Sequence, residues 1–279
     1  MINMIKADLY RIFKNVGIYI ALAIMILTIG LSIYLVTPGT VGQMSVGDIS
    51  TVQSAELPLT YEELESLSIS EFREKMLSVE GYALDRDMLT TNMNMYYVFI
   101  FVAALAVTID FSSGSVKNTL TSAISKRKYF LSKTVIIFGI CIIFFFLNTY
   151  ISYFANLIFN GKNLSSSLWT VTRITLVQLP AALALISILS GIAFMARKTA
   201  VYNMVTIPFV MVFQLLMGAA VKVLGLNQKY VYYELQIMFG KLANNPSDSY
   251  MIKSYIVCAV IIALFNIAGY VVFRKEEIK

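Results

Sequence analysis

The chain has 279 residues, of which 58% are hydrophobic and 14% are charged, and its formal net charge is +6. This composition excludes a single water-soluble globule, because one core cannot bury so much apolar surface. The sequence has no histidine, which excludes histidine-based acid and base catalysis and nearly all histidine-dependent metal sites.

Long apolar runs recur along the whole chain. A helix needs about 20 mostly apolar residues to cross a bilayer core of roughly 30 Å. The runs are continuous rather than alternating, which favours helices, because every peptide group in lipid needs an internal partner. We therefore predict an all-α polytopic membrane protein with one transmembrane domain over residues 1–279. The six predicted spans are 16–37, 95–110, 133–158, 170–195, 199–221 and 251–273.

The first soluble piece, residues 1–15, has the pattern of an amphipathic helix. Its apolar residues recur at helical spacing: Ile2, Ile5, Leu9, Ile12 and Phe13. The basic residues lie away from that stripe, which is typical of a helix in the membrane interface.

Residues 38–94 form the one large segment outside the predicted spans. Thr60 with Glu63 and Ser68 with Glu71 each match a capping box, which predicts two short helices. The segment is rich in acidic residues, so it either attracts a cationic ligand at the outer face or simply keeps a loop solvated.

Residues 111–128 are polar and basic, although apolar runs flank them on both sides. Val116, Leu120 and Ile124 lie four residues apart, which predicts a short helix with one apolar stripe. Lys126 and Arg127 follow the helix. We expect the stripe to face away from the membrane, because anchoring to lipid explains the basic residues but not the stripe.

The apolar stretch within residues 226–249 is too short to cross a membrane, and it is too apolar to be solvated. The apolar positions recur at helical spacing: Val231, Leu235, Met238, Phe239 and Leu242. This pattern predicts a re-entrant or interfacial helix on the outer side, before the last span.

The basic residues predict the orientation. With the N-terminus inside, short cytoplasmic pieces carry 13 of the 22 lysines and arginines. These are Lys6, Arg11, Lys14, Lys117, Lys126, Arg127, Lys128, Lys133, Arg197, Lys198, Arg274, Lys275 and Lys279. Both termini are therefore expected in the cytoplasm.

Other polar groups within the spans predict packing rather than chemistry. Gln178 and Asn266 are among the amides expected to form hydrogen bonds across helices. Cys141 and Cys258 are expected to be packing residues rather than a disulfide. The phosphate-binding pattern G-x-x-x-x-G-K-[ST] is absent from the sequence.

Between the second and third predicted spans, the sequence resembles the type-2 permeases of ATP-binding cassette (ABC) transporters. The resemblance rests on Asp110 at the end of a span, Gly114 with Ser115, the helix 116–124, the run 125–127 and Lys133. It departs from the usual pattern in having Asp for Glu, Ser for Thr, and no proline before the basic pair. The predicted topology resembles that of these permeases over nearly the whole chain.

The resemblance implies that residues 116–124 form a coupling helix, with Val116, Leu120, Ile124, Lys126 and Arg127 contacting a separate ATPase subunit. Two copies of that subunit would bind ATP and Mg²⁺, and a second permease chain would complete the transport path. The implied function is a non-enzymatic exporter subunit in a bacterial cell membrane, with neither a metal nor a nucleic-acid partner.

The expected cargo is an amphipathic peptide, such as a bacteriocin or antimicrobial peptide, because the spans are apolar and rich in methionine and aromatic residues. A lipid-linked or hydrophobic drug-like cargo is the alternative, since soft apolar linings accept it too. An ion-coupled secondary transporter is a different class of function, and it would favour carboxylates deep within the spans.

Overall fold

The computed structural model describes residues 2–36, 95–121, 124–162, 165–225, 228–243 and 246–275. Within these ranges every regular element is a helix, and no strand occurs. The predicted all-helical class is therefore confirmed for the described part of the chain. The two short helices predicted within residues 38–94 lie outside it.

The chain begins with two helices that meet at a sharp bend. Helix α1 is Ile2–Lys14 and α2 is Val16–Val36. The backbone N–H of Gly17 donates a 2.8 Å hydrogen bond to the Asn15 side chain at the junction. The two helices are bent by 62°. An amphipathic helix followed by an apolar one agrees with the sequence pattern.

The next three helices are one within the predicted coupling segment and one on either side of it. Helix α3 is Met95–Ser112 and contains a π-helical stretch, Ala104–Thr108. Helix α4 is the short Ser115–Thr121. Helix α5 is Lys126–Asn160, and its 35 residues make it about 52 Å long, so it extends well beyond a bilayer core.

The second half contains three long helices and one short one. Helix α6 is Leu168–Ala196 and α7 is Thr199–Val223. A 3₁₀ turn, Gln228–Tyr233, leads into the short helix α8, Leu235–Ala243. Helix α9, Asp248–Lys275, ends the described chain.

Four of the described helices are long and apolar enough to cross a membrane: α3, α5, α6 and α9. The bent pair α1 and α2 makes a fifth if it is counted as one span. Helices α2 and α7 lie where the first and fifth spans are predicted. The described residues thus establish several apolar helices of membrane-spanning length, fewer than the six predicted spans.

Helix α6 lies at the centre of the bundle and packs against α3, α5, α7, α8 and α9. Its closest neighbour is α9, where two glycines let the backbones approach. A Cβ atom added to Gly269 would lie 3.1 Å from Gly191 Cα. Asn266 also donates a 3.2 Å hydrogen bond to Ser187 Oγ across this contact, as predicted for a polar residue within a span.

The two cysteines are buried and unbridged, which confirms that they are packing residues. Cys141 lies in α5 and Cys258 in α9, where its thiol lies 3.5 Å from the sulfur of Met238.

Candidate functional site: a buried ion cluster at the basic end of the bundle

Asp110 and Lys133, which flank the predicted coupling segment, meet in the structure. Lys133 Nζ lies 2.5 Å from Asp110 Oδ2, and the lysine side chain is only 1% exposed. The same ammonium lies 2.7 Å from Asp8 Oδ1, in the N-terminal helix. One buried lysine therefore joins α1, α3 and α5.

Two further side chains complete this group. Arg11 forms ion pairs with Asp110 Oδ1 and, at 3.3 Å, with Asp8 Oδ1. Tyr129 donates a 3.0 Å hydrogen bond to Asp110 Oδ2. We call Asp8, Arg11, Asp110, Tyr129 and Lys133 the ion cluster. Its two carboxylates and two cations balance in charge, as buried ions require.

Helical spacing places these residues on shared faces. Asp8 and Arg11 are three residues apart on α1, beside the buried Ile12. Tyr129 and Lys133 are four residues apart on α5, so both point toward the end of α3. The side chains converge because the inward face of each helix carries them.

Aromatic rings separate the ion cluster from the rest of the bundle. The Tyr129 ring stacks on Phe273 with centroids 5.6 Å apart. Phe130 lies next to Phe194 at 4.4 Å, and Phe194 contacts Phe273 at 5.5 Å. These rings exclude water, which strengthens the ion pairs but makes an unpaired charge costly.

Arg11 is the half-exposed member of the ion cluster. Burial works to lower the pKa of its guanidinium, but the hydrogen bond and charge of Asp110 and the charge of Asp8 outweigh it and raise the pKa. Arg11 therefore stays charged at any physiological pH.

A helix, Ser115–Thr121, lies in the segment where the coupling helix is predicted, but its apolar stripe faces the bundle. Val116 is 1% exposed, and Leu120 and Ile124 pack against the core. The prediction that this apolar stripe faces away from the membrane-embedded part is therefore wrong. The stripe covers the base of the bundle. Turning it outward would expose both the stripe and the apolar surface beneath it to water. Lys117 and Asn118 are exposed instead.

Gly114 allows this inward turn. It has a φ of 70°, a conformation that glycine adopts without the steric cost of a Cβ. The hydroxyls of Ser113 and Ser115 each donate a 3.3 Å hydrogen bond to the backbone carbonyl of Asp110. The turn is thus tied directly to the residue that holds Lys133.

The two basic residues after α4 have different surroundings. Lys126 donates a 3.1 Å hydrogen bond to the Arg274 carbonyl, which joins the start of α5 to the end of α9. Arg127 is exposed. Lys126 is half-buried, so Arg127 is the exposed member of this pair.

Sequence reasoning identified Asp110 and Lys133 but missed the other three members of the ion cluster. Asp8 is the one acid in a basic amphipathic helix, and it falls one position before Leu9 of the apolar stripe. Tyr129 stands one helical turn before Lys133. Those two spacings are the signals that could have pointed to the cluster.

The opposite end of the bundle carries the short helix α8. Leu235, Met238, Phe239 and Leu242 are all buried, so four of the five predicted stripe residues are confirmed. The fifth, Val231, lies in the 3₁₀ turn before α8 and is half-buried. Gln178 Nε2 of α6 donates a 2.8 Å hydrogen bond to the Phe239 carbonyl.

Glu234, just before α8, is 2% exposed. Burial raises the pKa of its carboxyl group, although backbone N–H groups of Ile237 and Gln236 work in the opposite direction. The Ile237 N–H donates to Glu234 Oε2 at 3.0 Å.

The described part of the chain has no group of three or more His, Cys, Asp or Glu residues that could hold a metal ion. Comparison with known proteins finds no matching family model, no similar curated protein and no similar solved structure.

Proposed function

We propose that this chain is the membrane subunit of an ABC exporter in a bacterial cell membrane. Helices α2 and α7 would span the membrane together with α3, α5, α6 and α9, which makes six spans with both termini in the cytoplasm. Two copies of a separate ATPase would bind ATP and Mg²⁺. A second copy of this chain, or a similar chain, would complete the path.

The observation that supports this proposal best is the link between the ion cluster and the segment that contains α4. Asp110 and Lys133 flank α4, and α1 is fastened to both through Asp8 and Arg11. A push on α4 would therefore reach α1, α3 and α5 together rather than deform a loose loop. A rigid loop of this kind suits mechanical coupling to a partner.

The inward turn of the apolar stripe changes which residues would touch the ATPase. Lys117 and Asn118 of α4 and Arg127 at the start of α5 are exposed. The contact would then be polar and basic, and Val116, Leu120 and Ile124 would act as the internal support of the coupling helix.

The proposed cargo is an amphipathic peptide, and a lipid-linked or drug-like molecule is the alternative. Among the described residues, the buried charged side chains are Asp8, Asp110, Lys133 and Glu234. None of these lies midway along a long helix, where an ion-coupled transporter would favour a carboxylate. An apolar transport path driven by ATP hydrolysis in a partner subunit is a simpler interpretation than an ion-coupled transporter.

A photo-cross-linking amino acid at Asn118 tests the proposal. In native membranes we expect it to capture a protein that carries a P-loop ATPase sequence. The matched control is the same amino acid at Trp169, which is 72% exposed at the other end of the bundle. If the Asn118 position captures no ATPase, and none copurifies with the chain, the exporter proposal is wrong.

Charge reversal tests the coupling surface itself. The double variant Lys117→Glu and Arg127→Glu should lose stimulation of the partner's ATPase while inserting and folding normally. Lys162→Glu, an exposed lysine between α5 and α6, serves as the control and should keep stimulation. Normal stimulation by the double variant would contradict the assigned contact.

A further inference from the structure

A lysine side chain lies against tyrosine rings at the end of the bundle opposite the ion cluster. Lys241 Nζ lies 3.4 Å from the centre of the Tyr232 ring and 5.8 Å from that of Tyr250. Aromatic faces attract cations through their electron-rich centres. The two rings therefore already hold an ammonium group.

The Tyr250 ring is positioned without help from the lysine. Tyr250 donates its hydroxyl hydrogen to the Tyr232 carbonyl over 2.5 Å. Tyr233 stacks on Tyr250 with centroids 5.4 Å apart and an interplanar angle of 25°. These contacts join the 3₁₀ turn to the start of α9, so the Tyr250 ring and the backbone of Tyr232 would keep their positions if Lys241 moved away.

Lys241 contacts the rings without a salt bridge to a described carboxylate. Among residues whose positions are described, no carboxylate lies within salt-bridge distance of its ammonium group. A long, flexible lysine stem can turn to solvent at little cost. The Tyr232 side chain is 42% exposed, so an external cation can reach its face.

We propose that Tyr232 and Tyr250 form a binding site for an organic ammonium group, which Lys241 occupies when no ligand is bound. The ammonium could come from a lysine side chain of a peptide or from the choline of a lipid headgroup. This site goes beyond the exporter proposal, because its geometry is independent of α4 and of any ATPase. The proposed site is tested by measuring ligand binding to the purified chain directly.

The test uses the full chain in an uncharged detergent, with choline as the probe and calorimetry as the measurement. In Lys241→Met the competing cation is gone and the apolar stem is kept, so choline should bind about tenfold more tightly than to the wild type. The neutral isostere 3,3-dimethylbutan-1-ol should bind much more weakly. Equal binding of the two probes, or no choline binding to Lys241→Met, overturns the proposal.

A ring deletion in the same background locates the site. Adding Tyr232→Leu to Lys241→Met should lower choline affinity about tenfold, whereas Tyr230→Leu, which removes a neighbouring exposed tyrosine, should leave it unchanged. Tyr232→Phe should keep most of the affinity, which shows that loss in Tyr232→Leu is not misfolding. If Tyr232→Leu binds choline normally, the site is elsewhere and the assignment is wrong.

Two further probes distinguish the sources of the ammonium. Nα-acetyl-lysine amide stands for a peptide side chain, and glycerophosphocholine stands for a lipid headgroup. Tighter binding of the first assigns the site to a cationic peptide, and tighter binding of the second assigns it to a lipid. Binding of neither probe to Lys241→Met overturns the proposal.

Discussion

Lys133 Nζ lies between two carboxylates, 2.5 Å from Asp110 Oδ2 and 2.7 Å from Asp8 Oδ1. Each of these three groups depends on the others, because a buried ion without its counter-ion carries a desolvation cost of several kcal/mol. The cluster therefore holds α1, α3 and α5 in one relative position. Replacing Asp8, Asp110 or Lys133 singly by a neutral residue would leave a net charge in the buried cluster.

Paired replacement should be milder than single replacement. Asp110→Asn leaves one surplus positive charge and Lys133→Met one surplus negative charge, so each should lower the free energy of unfolding by about 3–5 kcal/mol. The double variant leaves Asp8 and Arg11 as a balanced pair and should lie closer to the wild type than either single variant.

Thermal unfolding of the purified chain in an uncharged detergent measures this difference. The control is Lys128→Met, an exposed lysine near the same end, which should change stability by no more than about 0.5 kcal/mol. If the double variant loses as much stability as the sum of the two single variants, the two residues do not act as a pair.

Two glycine-to-alanine variants should change stability in opposite directions. A Cβ at Gly191 would lie 2.8 Å from the Phe265 carbonyl oxygen, so Gly191→Ala must push α9 away and should cost about 1–3 kcal/mol. A Cβ at Gly139 would meet nothing within 4 Å. Gly139→Ala should therefore stabilise α5 by about 0.5–1 kcal/mol through helix propensity.

The same melting experiment decides this comparison, since both variants add one methyl group to a long helix. Equal losses at Gly191 and Gly139 would mean that the close approach of α6 and α9 does not determine the effect.

The buried carboxyl group of Glu234 should make the stability of the folded chain depend on pH. Because burial raises the pKa of this carboxyl group, the folded chain retains the proton at pH values where the unfolded chain has lost it. Protonation therefore favours the folded state. This contribution is lost as pH rises from the unfolded pKa of about 4.3 through the raised pKa of the folded state.

Glu234→Gln removes this titration while keeping an oxygen that can accept the Ile237 N–H. The melting temperature of Glu234→Gln should exceed that of the wild type by an amount that grows through this pH window and then levels off. At pH 4 the two proteins should differ least. Parallel melting profiles across the whole range would show that Glu234 does not titrate on unfolding.

The proposed topology predicts which introduced cysteines can be labelled from outside. Lys162→Cys lies between α5 and α6 and should react with a membrane-impermeant maleimide in intact cells. Asn118→Cys in α4 should react only after the cells are permeabilised. The background should be low because Cys141 and Cys258 are buried. Labelling of Asn118→Cys from outside would exclude an α4 that contacts a cytoplasmic ATPase.

Helix positions were largely predictable from the sequence. The predicted spans 170–195 and 251–273 fall within α6, Leu168–Ala196, and α9, Asp248–Lys275. The apolar stripe of α8 was also correct. These features depend on local apolar runs and helical periodicity, which the chain displays residue by residue.

The direction in which α4 faces could not be read in the same way. The spacing of Val116, Leu120 and Ile124 identifies one apolar face. Helical spacing alone does not show which part of the protein packs against that face. The glycine turn at Gly114 and the base of the bundle decide that, and they direct the stripe inward.

By itself, the sequence determined that this protein is helical and apolar enough for a membrane, because helix length and hydropathy depend on neighbouring residues alone. Only the tertiary structure decided that Asp8 and Arg11 meet Asp110 and Lys133, and that Lys241 rests on Tyr232. Such contacts join residues from separate helices, so they exist only once packing has brought those helices together.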